Sequence, residues 1–154
     1  MQWCNLGDYT ESTKTLFLAL SRNDTIEELN LSNCGILSSL AKSLAIVGLK
    51  PNVTLRNLDI SWNKIGDQAG EAFLDMLKLN KNIQNIILNG NNICSMIEKS
   101  IENQLIHNVE LHLKQTEMVF SKLLRDSTAL YICIKTDTLH TSYDMVLTIE
   151  KREV

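Results

Sequence analysis

Very little in this sequence is arranged for chemistry. The histidines His107, His112 and His140 do not fall at metal-ligand spacing. No G-x-x-x-x-G-K-S/T phosphate loop is present, and no Ser/His/Asp or Cys/His grouping carries a local signature. These absences nominate no catalytic residue, no cofactor and no metal site, so a non-enzymatic chain is expected. The cysteines Cys4, Cys34, Cys94 and Cys133 include no C-x-x-C pair. Reduced thiols suit a cytosolic or nuclear compartment, and a cytoplasmic location is the expectation. Met1-Gln2-Trp3-Cys4 lacks the basic region and apolar stretch of a secretory signal. The glycosylation sequons at Asn23, Asn30 and Asn52 are therefore read as chance. No apolar run is long enough to span a bilayer, so no membrane contact is expected. A net charge of −3 gives no electrostatic case for nucleic acid.

What is present is a three-fold repeat. Ile26, Leu29, Leu31, Cys34 and Ile36 recur as Leu55, Leu58, Ile60, Asn63 and Ile65, and again as Ile83, Ile86, Leu88, Asn91 and Ile93. The starts are spaced by 29 and then 28 residues. We call these the first, second and third units. Within each, apolar residues alternate with polar ones such as Asn57, Asp59 and Ser61, the period of a strand with one buried face. The amide at Asn63 can serve backbone groups of the turn that would otherwise be buried without partners. Beyond Ile65, Gly66-Asp67 opens a helix with Ala69, Phe73 and Leu77 on one face and Asp67, Glu71, Asp75 and Lys78 outward. The polar Asn80-Lys81-Asn82 ends it. The same helix positions recur as Ile97, Ile101, Leu105 and Leu111 in the third unit. In the first they are Leu40, Leu44, Gly48 and, one residue late, Leu55.

The N-terminus continues the pattern, since Trp3-Cys4-Asn5-Leu6-Gly7-Asp8 aligns with Trp62-Asn63-Lys64-Ile65-Gly66-Asp67. Leu16 and Leu20 are expected on that helix's inner face, and Cys4 and Cys34 are expected to be buried at equivalent turn positions. The chain thus opens partway through a unit, either as a fragment of a longer array or as a stub.

The spacing L-x-x-L-x-L-x-x-N/C-x-L, at a period near 28, is that of a leucine-rich repeat. Residues 3–108 resemble its ribonuclease-inhibitor-like type, found in ribonuclease inhibitor, tropomodulin, the nucleotide-sensing immune receptors and the Ran GTPase activator. One departure is that the turn position reads Cys4, Cys34, Asn63, Asn91, where ribonuclease inhibitor alternates Asn and Cys. The resemblance implies an α/β fold, a right-handed leucine-rich-repeat solenoid with a parallel sheet on its concave face. It implies a surface for partners and not an enclosed reaction site.

The last third breaks the rule, because Lys114 and Thr116 stand where the repeat requires apolar residues. We expect repeats over 1–113 and a C-terminal α+β cap or interaction element over 114–154. Val109 to Leu113 can supply a shortened last strand, and Thr116 can cap a helix through about Arg125. Two strand-like runs follow, Ala129 to Lys135 and Met145 to Ile149, joined by the polar stretch Asp137 to Ser142.

For function, the solvent-facing strand positions form the candidate site. These are Glu28, Asn30 and Ser32, then Asn57, Asp59 and Ser61, then Asn85, Ile87 and Asn89. Ile87 is apolar where its counterparts are polar, and Trp62 stands outside the core alternation. Trp3 is its counterpart two units earlier, which places the indoles about 10 Å apart if strands are about 4.8 Å apart. Tryptophan is enriched among the residues that dominate interface energetics. The expected function is a protein-binding module or scaffold. Trp3, Trp62 and Ile87 act as apolar anchors, while Glu28, Asn30, Asn57, Asp59, Asn85 and Asn89 supply polar contacts. The partner is another protein, and self-association through the C-terminal strands or the open N-terminal edge is a further expectation. A GTPase activator of the Ran type is one alternative, with Arg56 the only arginine in the three strand motifs. A segment of a larger cytoskeletal, ciliary or immune-sensor protein is the other.

Overall fold

The computed structural model describes residues 4–126, 130–135 and 146–151, with side chains to residue 122. The chain divides into two compact units, Met1–Leu113 and Lys114–Val154.

In the first, a short 3-10 turn (Leu6–Asp8) leads into α1 (Thr10–Ser21). Then follow β1 (Glu28–Asn30), α2 (Ser38–Ser43) with a π-helical continuation (Leu44–Leu49), β2 (Asn57–Asp59), α3 (Asp67–Leu79), β3 (Asn85–Ile87) and the start of α4 (Ser95–Asp126), whose last residues belong to the second compact unit. The strands form one parallel sheet in the order β1-β2-β3. Leu29 pairs with Leu58 and Leu58 with Ile86, so the repeat positions stand as successive rungs. Each rung's apolar side chain faces the helical layer, where Leu31, Ile36, Leu44, Leu58, Ile60, Ile65, Phe73 and Leu77 are fully buried. In α3, Ala69, Gly70, Phe73, Met76 and Leu77 are inward, while Asp67, Glu71, Asp75 and Lys78 are exposed. That is the amphipathic division the sequence implied.

The unequal spacing of 29 and 28 has a local cause. From Cys34 to Leu44, each buried residue of the first unit precedes its second-unit counterpart by 29, as Leu44 does Phe73. From Leu49 onward the offset is 28, as Leu49 to Leu77 and Leu55 to Ile83. The change falls inside the π-helical segment Leu44–Leu49, closed by Lys50 N donating to Ala45 O at 3.0 Å, a span of five residues. A π turn absorbs one extra residue without ending the helix. The inner face is kept by Leu44, Ala45, Gly48 and Leu49, and the surplus emerges as exposed Ile46 and Val47.

Three expectations are corrected. In α1 the buried residues are Thr13, Phe17 and Leu20, and Leu16 is only half-buried. The hydroxyl of Thr13 donates to Leu6 O at 2.9 Å, which makes a polar residue admissible inside. Cys34 is buried as expected, but Cys4 is exposed. Val109 to Leu113 is not a strand. It lies within α4, which runs unbroken past Thr116 to Asp126. No glycine or proline interrupts 95–126, and the strand alternative would have placed Lys114 and Thr116 on the buried face.

In the second compact unit, β4 (Leu130–Lys135) and β5 (Val146–Lys151) form an antiparallel pair with Ile132 opposite Ile149. Both strands fall where the sequence put them, and the linking stretch 137–142 lies outside the described residues.

Candidate partner-binding face

The solvent side of the parallel sheet is a grid of two rows. Glu28, Asn57 and Asn85 share one, and Asn30, Asp59 and Ile87 the other. Asn57 Nδ2 donates to Glu28 Oε1 at 3.1 Å, and Asn30 Nδ2 donates to Asp59 Oδ2 at 3.0 Å. Asp59 Oδ1 also accepts from Ser61 N at 3.0 Å and Ser61 Oγ at 2.6 Å, and Asn30 Oδ1 takes the same role toward Ser32. Asn30 and Asp59 therefore hold their own turns, and Ser61 is buried in doing so. Glu28, Asn85 and Asn89 are exposed, and Ile87 is 39% exposed. At this grid's third-unit corner the polar pattern gives way to an apolar side chain.

Trp62 stands at the rim where the strands end. It is 67% exposed, and its φ is +54°. The equivalent residues one unit before and after are Asn33 at φ +50° and Gly90 at φ +74°. The turn thus demands a left-handed residue in every unit. Asparagine and glycine meet that demand cheaply, and tryptophan does not. The indole lies against Gly90, where a Cβ would sit 2.6 Å from Trp62 Cδ2 and Cε3. Ser32, Asn33, Trp62 and Gly90 enclose a shallow groove of about 340 Å³. Trp3, the expected second anchor, lies outside the described residues.

Beneath the rim, Asn63 reaches back into the first unit. Its Oδ1 accepts from Cys34 N at 3.0 Å and Ile36 N at 2.9 Å, and its Nδ2 donates to Leu31 O, Ile60 O and Ser61 O. Asn91 repeats this one unit on, accepting from Ile65 N and donating to Ile60 O and Leu88 O. This is the role the sequence assigned to Asn63. Among the described residues no three His, Cys, Asp or Glu side chains stand together as a metal site, and no helix is long and apolar enough to cross a membrane.

Comparison with known proteins agrees with this geometry. A family model described as Leucine Rich Repeat matches residues 25–45. The solved structure titled Leiomodin-1 Actin-Binding Site 2 superposes with a TM-score of 0.58 at 17% identity, covering 77% of this chain and 82% of that one. The chain has a leucine-rich-repeat fold. A tropomodulin C-terminal domain from Caenorhabditis elegans matches with a TM-score of 0.47 at 15% identity, covering 76% of this chain and 88% of that one.

This leucine-rich-repeat chain also holds a second asparagine series that motif reading missed. Asn52 Nδ2 donates to Leu20 O at 2.7 Å and Asn23 O at 3.0 Å. Asn80 Nδ2 donates to Leu49 O at 2.6 Å and Asn52 O at 2.7 Å. Asn108 Nδ2 donates to Leu77 O at 3.1 Å and Asn80 O at 3.2 Å. All three are buried, and each ties its own unit to carbonyls at the end of the helix before, Asn108 doing so from within α4. The signal was available, because Asn23, Asn52, Asn80 and Asn108 recur at 29, 28 and 28. Asn23 and Asn52 had been read only as sequons.

Proposed function

We propose that this chain is a protein-binding module that docks a partner on the open face of its parallel sheet, with Trp62 as the principal anchor. Trp3 and Ile87 extend the apolar contact, and Glu28, Asn57, Asn85 and Asn89 set polar selectivity around it. Asn30 and Asp59 act less as contacts than as the frame that fixes the face. The three units continue the logic of a solenoid, and residues 114–154 are a C-terminal cap or interaction element. A cytoplasmic setting suits this role.

The observation that carries the reading is Trp62 itself. A bulky aromatic held at positive φ costs about 1–2 kcal/mol relative to a residue suited to it. Such strain is most often kept where a site uses it. Here the side chain is turned outward and covers a glycine, so its burial in the fold does not account for it. No described residue favours the GTPase-activator alternative. Leiomodin-1's structure is named for an actin-binding site, which makes actin the first partner to assay.

Replacing Trp62 by glycine separates binding from folding, because glycine adopts the left-handed turn without strain. Affinity for the partner should fall about 30-fold or more, as for a central hot spot, while the melting temperature holds or rises. Co-sedimentation with filamentous actin and affinity capture from lysate, each run with wild type and the glycine variant, test it. Equal capture by both proteins would remove the anchor from the proposal.

A further inference from the structure

The third-unit turn, Asn89-Gly90, is chemically unlike its two counterparts. Ser32 and Ser61 hold the position of Asn89 in the units before it. Ser32 N donates to Asn30 Oδ1 and Ser61 N to Asp59 Oδ1, each at 3.0 Å, and these caps pin both turns. Ile87 stands at the capping position of the third unit and offers no acceptor. Asn89 and Gly90 are both exposed. Among the described residues the Asn89 carboxamide makes no hydrogen bond, so it is available to its own backbone.

The residue that follows has to be glycine. Its φ is +74°, and a Cβ there would sit 2.6 Å from the Trp62 ring. With no side chain beside it, Gly90 N is an unhindered nucleophile toward Asn89 Cγ. Trp62 N donates to Asn89 O at 2.8 Å. That donor stabilises the charge that develops on the peptide oxygen when Gly90 N gives up its proton.

We propose that Asn89 is a self-modifying site, converted without an enzyme to aspartate and isoaspartate. Hydroxide takes the proton of Gly90 N, which attacks Asn89 Cγ. A C–N bond forms and the Cγ–Nδ2 bond breaks. Nδ2 takes a proton from water and leaves as ammonia, and a succinimide remains. Water then opens the ring at either carbonyl, with no oxidant or reductant involved. Both products add a carboxylate to the rim beside Trp62. Isoaspartate also adds a methylene to the backbone just ahead of the glycine that the indole covers. The effect on docking rests on the function proposed above; the conversion itself does not.

For the test, the full chain is incubated at mildly alkaline pH. Every asparagine is then followed by peptide mass spectrometry and by labelling with an isoaspartyl methyltransferase. Asn89 should convert first and furthest, and faster as pH rises. Ile87→Asn, which copies the cap at Asn30, should slow it severalfold while the melting temperature is kept. Asn89→Gln should block it, because the longer side chain closes a less favourable ring. In a Trp3→Phe background Trp62 is the one tryptophan left. Its emission should shift as conversion proceeds and stay constant once Asn89→Gln is added. These readouts need no partner, so they stand apart from the capture assay of the docking face. Three outcomes overturn the proposal. One is an unconverted Asn89 when other asparagines have reacted, and another is an unchanged rate in Ile87→Asn. The third is conversion that leaves Trp62 emission where it was.

Discussion

The second and third units begin alike and finish differently. Both carry a rung residue, Leu58 or Ile86, a turn asparagine, Asn63 or Asn91, and a buried asparagine that reaches back to the preceding helix, Asn80 or Asn108. In the second unit the chain leaves the helix at Asn80, whose Oδ1 caps Asn82 N at 2.8 Å and turns the backbone toward β3. In the third, Asn108 keeps the same reach to the preceding carbonyls, yet α4 runs on for more than four further turns. Its Oδ1 accepts from Lys81 Nζ and Gln104 Nε2, both side chains, in place of a backbone amide. The buried asparagine therefore fastens helix to helix but does not stop a helix. What stops it is the reward for the strand beyond, which Ile86 and Leu88 provide and Lys114 and Thr116 do not.

This contrast can be broken in order of expected effect. Asn63→Ala deprives two backbone N–H groups and three carbonyls of their partner and should cost about 3–4 kcal/mol in chemical denaturation. Asn91→Ala, with one N–H and two carbonyls at stake, should cost less, about 2 kcal/mol. Equal losses would show that the turn asparagines are not graded by the bonds they hold. In the second asparagine series, Asn80→Ala should cost about 2–3 kcal/mol and Asn108→Ala about 1 kcal/mol, since the latter caps no backbone donor and its bonds are longer. The reverse order would mean that α4 depends on Asn108 more than the geometry implies. The smallest effect belongs to the first unit. Deleting Val47 should give the first unit the second unit's spacing of 28 residues and change stability by less than about 1 kcal/mol. Unfolding of that variant would show the π turn to be required.

The strands, their register and α3 were legible because each buried residue there repeats at a fixed offset. Leu29, Leu58 and Ile86 needed only their spacing to be placed. The extent of α4 was not legible, because Val109 to Leu113 alternates like a strand and only the lack of a buried position for Lys114 decides against it. The shift from Leu16 to Phe17 in α1 escaped because the first helix has no complete unit before it to set its phase. Of the candidate site, the two rows were legible from alternation. The pairing of Asn30 with Asp59 depends on side-chain reach that spacing does not encode. Nor did the sequence reveal that Trp62 is left-handed, although Asn33 and Gly90 at the same position carry that signal.

The odd residue absorbed between Leu44 and Leu49 lengthens only the outer layer, because the β1 to β2 pairing stays in register. A residue gained on the helical side is thus invisible to the sheet, and Glu28 with Asn57 and Asn30 with Asp59 keep their alignment across it.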